Sequence, residues 1–257
     1  MATVSDRIAR GDLDPVYILI SDQPLLLERT HTSILDAALP EAARGFNLDL
    51  IDGKGMSANQ VLGAAQTLPM MAARRVVSVR EISAATAGEL AKLIPYLGDP
   101  SETTVLIATA SKVDKRIKFF AQAKKKKYLH ELSAPREVDS WLRREARTRG
   151  VDIDPRALGR LAEVIGRDLS RLALALDQLT LYAGDRTITP GDVDDLIAAT
   201  RERTVFELTD AIGDGNLPAA LAASASLCDQ RQSVIGVVIM LARYMRQLAM
   251  CRDAQLR

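Results

Sequence analysis

Residues 66–77, QTLPMMAARRVV, sit where one repeat in the sequence gives way to another. On the amino-terminal side Val61, Leu62, Ala65 and Leu68 recur at the spacing of one helix face. On the other side RRVVSVRE (74–81) is a short β-branched run of the kind that forms a strand. Pro69 disfavours helix at Leu68, so Met70 and Met71 fall on a turn between the two elements. The residues alone favour tucking these apolar side chains under their own domain.

The alternation extends in both directions. Runs at 15–21, 46–52, 74–81, 103–110 and 127–133 read as five strands. Helical spacing fills 24–39, 57–68, 86–97 and 114–124, with Ser57 and Asp114 as capping residues. Strands alternating with helices predict βαβ units and a mainly parallel sheet. After Pro135 the strand signal stops, and helices are predicted at 137–149, 155–165, 168–183 and 190–199. A third helical block begins near Thr204 and ends in a long amphipathic helix from about Ser233. The expected division is an α/β domain at 1–135, a helical domain at 136–202 and a further helical domain at 203–257.

At 257 residues the chain is long for one core, and its 47% hydrophobic and 26% charged residues suit a folded protein. The 34 Lys and Arg balance 33 Asp and Glu, a net charge of +1, so no overall field draws it to nucleic acid or acidic lipid. The longest apolar run, VIGVVIMLA (234–242), is too short to span a bilayer. Cys228 and Cys251 form neither a CxxC nor a disulfide frame. These features predict a soluble, unexported, cytoplasmic protein without membrane contact.

A parallel sheet followed by helices is a platform for nucleotide triphosphate hydrolysis, but the motifs for it are missing. The turn after YILI is SDQPLLLER, with no glycine to expose backbone amides to phosphate and no lysine followed by serine or threonine. Where an acidic pair would hold Mg²⁺, the third strand ends in Arg80 and Glu81, and Glu81 reads as a solvated strand end. Neither His31 nor His130 stands in a nucleophile pattern, so packing or surface roles suit both. Lys124 to Lys127 close a helix, where cations complement the dipole; a solvated helix end and a phosphate contact both fit, without aromatic residues for stacking on bases. No catalytic residue, cofactor or metal is expected.

Taken in order, LPMMAARRVVSVRE, SKVDKR, GRDLSRLALALDQLTLYAGDRTITPGDV and TVFELTDAI resemble the delta subunits of bacterial DNA polymerase III clamp loaders, along essentially the whole chain. The resemblance implies an AAA+-like α/β domain, a helical lid and a helical collar that joins a five-subunit ring. The collar here is shorter than the family's, which implies a truncated chain. It also implies a catalytically silent subunit of the polymerase III holoenzyme, which binds and opens the ring-shaped sliding clamp and meets DNA weakly or only within the complex. Leu68, Met70 and Met71 match the hydrophobic element that enters a pocket on the clamp. Methionine, flexible and polarizable, suits a shared pocket. Two rivals remain: an ATPase of the same architecture with a degenerate phosphate loop, and a scaffold whose methionines are core.

Overall fold

The computed structural model describes residues 7–8, 10–198, 208–229, 238–239, 241–246 and 250. The chain divides into two compact units, residues 1–136 with 168–170, and residues 137–167 with 171–257.

In the first unit β1 (Val16–Ile20), β2 (Leu48–Asp52), β3 (Arg75–Arg80), β4 (Thr104–Ala110) and β5 (Leu129–Glu131) form one parallel sheet in the order β2-β3-β4-β1-β5. Every pairing is parallel. β1 is buried along its whole length, as a central strand covered on both faces must be.

Alternate residues of each strand face opposite layers. Val16, Ile18, Val77, Val79, Leu106 and Ala108 pack in one core with Val61 and Ala65 of α3 (Ala58–Gln66) and with Phe119 and Phe120 of α6 (Lys118–Lys125). Tyr17, Leu19, Val76, Val105 and Ile107 pack in the other with Ile34 and Leu35 of α1 (Pro24–Ala38). This is the parallel α/β arrangement that the alternating sequence predicts.

Several boundaries differ from the expectations. The run at 46–52 begins with α2, the single turn Arg44–Asn47, and the strand proper starts at Leu48. The helix expected at 86–97 is two short ones, α4 (Ala87–Lys92) and α5 (Ile94–Gly98), because Pro95 opens a new first turn after Leu93. Ser57 occupies the N-cap of α3 without a side-chain bond; the Glu89 carboxylate accepts from Ala58 N–H at 2.6 Å instead. Asp114 does not cap α6, which starts four residues later at Lys118. Its carboxylate instead accepts from the Arg116 backbone N–H at 3.0 Å and its guanidinium at 2.8 Å, and the guanidinium bond holds the Asp114 pKa down at about 2.

The second unit holds α7 (Val138–Thr148), α8 (Pro155–Ile165), most of α9 (Leu169–Ala183), α10 (Pro190–Val193) and α11 (Leu217–Asp229). Thr189 and Asp192 form a reciprocal capping box at the start of α10, and Arg186 pairs with Asp192 at 2.6 Å. The helix expected at 190–199 passes into a π-helical turn at Asp194–Ala198. The predicted helix from Ser233 lies mostly outside the described residues, as do Cys251 and Thr204 to Glu207.

Candidate functional site

Helix α3 stops at Gln66, earlier than its apolar spacing suggests. Thr67 is already extended, with ψ of 131°, and its hydroxyl donates to the Gly63 carbonyl at 2.7 Å. Leu68 is therefore outside the helix and 75% exposed, not a member of the buried face that Val61 and Ala65 form. Met70 is 57% and Met71 98% exposed, so the residue-level expectation that they tuck under their own domain does not hold. Met71 has φ of 54°, in the left-handed region that a long side chain rarely adopts.

The turn is fixed from outside by Asn47, which is fully buried at the end of α2. Its Oδ1 accepts from Met70 N–H at 2.6 Å, and its Nδ2 donates to Met70 C=O at 2.8 Å and to Ala43 C=O at 3.0 Å. Just after the turn, Arg75 pairs with Asp49 of β2 at 2.8 Å and donates to the Phe46 carbonyl at 3.3 Å. Phe46 itself is 69% exposed. The sheet edge thus carries an exposed apolar hook of Leu68, Met70 and Met71, with the turn bearing Phe46 and Asn47 tied to its base.

Sequence reading missed Phe46 and Asn47. FNLDLID alternates like a strand from its first residue, and nothing local marks Asn47 as buried, because its partner is 23 residues along the chain. Its amide falls on the polar beat of that alternation, so it reads as an ordinary solvent-facing strand residue.

At the carboxyl ends of the strands, the first βα turn is short. Ser21 donates to the Leu132 carbonyl at 2.6 Å and accepts from Gln23 N–H at 3.1 Å, and Pro24 opens α1. Glu81 is not a free strand end. It adopts a left-handed φ of 47°, bonds Ser83 Oγ, and accepts from Ser111 N–H at 3.2 Å. The Glu81 carbonyl lies where a Cβ on Gly53 would come to 2.2 Å, so only glycine fits there.

His31 Nε2 bonds Ser78 Oγ at 2.8 Å, and His130 packs beside the Tyr17 ring with centroids 5.5 Å apart. Burial lowers both pKa values; Arg80 adds to the effect at His31. Lys124 to Lys127 are all exposed at the end of α6, where cations complement the helix dipole. Among the described residues no group of three or more His, Cys, Asp or Glu could hold a metal ion, and no helix is long and apolar enough to cross a membrane.

Comparison with known proteins agrees with the resemblance in the sequence. Residues 17–133 match the family model of the DNA polymerase III delta subunit. DNA polymerase III subunit delta of Bacillus subtilis (strain 168) is 28% identical over 254 residues, covering 93% of this chain and 73% of that protein. Among solved structures, the Bacillus subtilis DNA clamp loader delta protein (YqeN) superposes with a TM-score of 0.61 at 25% identity, covering 92% of this chain and 74% of that one. Residues 17–133 of this chain, which hold nearly all of the sheet and the whole hook, are thus similar to the delta subunits of DNA polymerase III.

Proposed function

We propose that this protein is a clamp-loader subunit that binds the ring-shaped DNA sliding clamp through Leu68, Met70 and Met71 and opens it during replication, without ATPase activity of its own. The observation that carries this reading is the hook: three large apolar side chains projecting from a turn whose backbone is pinned at Met70. Exposed apolar groups held on a rigid support act as interface anchors, because little ordering remains to be done on binding. Phe46, tied to the same base, adds to the surface that meets the clamp.

Opening follows from differential affinity. A binder shifts the clamp's closed and open forms only if it holds the open form more tightly. In this reading residues 1–135 are the clamp-binding domain, 136–202 the lid and 203–257 the collar that joins the other subunits of a five-subunit ring in the cytoplasm. ATP acts on those other subunits, and DNA is met within the assembled loader.

The test is a binding isotherm with the cognate sliding clamp. Burying each methionine is worth roughly 1.5 to 3 kcal/mol, so Met70→Ala with Met71→Ala should weaken binding on the order of a hundredfold. The melting transition should barely move, since neither side chain is core. Undiminished affinity in the double variant would discard the hook as the clamp contact.

A further inference from the structure

We infer that Asn47 is the positioning residue of the hook: its buried side-chain amide fixes the Met70 backbone in the conformation that turns Leu68, Met70 and Met71 outward. The inference rests on the reading of that surface as the clamp contact. One side-chain amide satisfies both main-chain polar groups of Met70, the N–H at 2.6 Å and the C=O at 2.8 Å. This is the pair of bonds that a residue on a neighbouring strand would exchange, supplied here by a side chain. The third bond, to Ala43 C=O, orients the amide so that oxygen faces the Met70 N–H and nitrogen its carbonyl.

The need for such a device is visible on both sides of Met70. Pro69 precedes it, with its backbone angle set by the ring, and Met71 follows in a left-handed conformation that L side chains hold only where their surroundings impose it. No isostere reproduces the arrangement. Leucine offers no hydrogen bond, and aspartate keeps the acceptor but loses both donors. Without Asn47 the turn would sample other conformations, and the clamp would have to select the competent one, weakening apparent affinity by the fraction lost.

The experiment uses the full chain and the cognate sliding clamp, with residue-resolved amide exchange beside the binding isotherm. In the unaltered chain the Met70 amide should be protected although its side chain is exposed. In Asn47→Ala its exchange should rise tenfold or more and clamp affinity fall about tenfold. Asn47→Ser, which leaves no charge in the buried site and is too short to span both Met70 groups, should loosen the Met70 amide in the same way, which preserves the test if the alanine variant does not fold. Ile107→Val, a core change far from the hook in sequence, serves as a control destabilised without losing affinity. An unprotected Met70 amide in the unaltered chain would overturn the inference. So would parental affinity in a folded Asn47 variant beside a weakened Met70→Ala, Met71→Ala protein. If that double methionine variant itself binds normally, the hook reading is what fails, and the role of Asn47 falls with it.

Discussion

Val61 and Leu68 satisfy the same helical spacing and meet opposite fates. Val61 is buried in the core beneath α3, whereas Leu68 lies beyond the last helical residue, Gln66, and faces solvent. Val61→Ala should therefore cost about 2 kcal/mol of stability from lost burial and an unfilled cavity. Leu68→Ala should change stability by less than about 0.5 kcal/mol while weakening clamp binding roughly tenfold. Paired denaturant melts and clamp isotherms separate the two; equal destabilisation would put Leu68 back in the core. Spacing could not foresee the difference. Periodicity gives the direction in which a side chain leaves the helix axis, but where the helix stops depended on Thr67, whose hydroxyl folds back onto Gly63. What the sequence did show was Pro69, and with it the existence of a turn.

Among the elements, β1, β3 and β4 were legible because each is a short β-branched or apolar run, and burial on both faces demands such runs. The ends were less so. Asp114 resembles a cap in sequence, yet it turns to its own neighbour Arg116, and the cap of α3 comes from Glu89 on α4. Bonds between elements distant in sequence leave no local trace, and Asn47 with Met70 is the case that bears on the proposed hook. The first βα turn lacks the glycines of a phosphate loop. Ser21 is already committed to Leu132 and Gln23, and Pro24 removes an amide donor from the start of α1. The isolated protein should show no shift in melting temperature with ATP and Mg²⁺. A saturable shift would mean that the native state binds nucleotide and that the ATPase rival is correct.

At the scale of the whole molecule, the near balance of charge leaves pH sensitivity near neutrality to the two histidines. Burial lowers the pKa of His31, helped by Arg80, and burial lowers that of His130 despite the opposing pull of Asp14. A histidine whose pKa is lower in the folded state binds its proton more tightly when unfolded. Stability is thus fully present above the unfolded value of about 6.5 and declines as pH falls through it. Melts between about pH 7.5 and 5.5 should show this loss, and the loss should shrink when His31 and His130 are both replaced by Gln; an unchanged slope would refute it. The hook stands apart from this accounting. Its path is set by Asn47, Pro69 and Arg75, and its side chains are mostly exposed. The fold therefore asks little of those side chains beyond tolerance of a left-handed backbone at 71, and the anchors at positions 68, 70 and 71 form a replaceable cassette: their identity can drift with the shape of the partner's pocket while the scaffold that presents them stays the same.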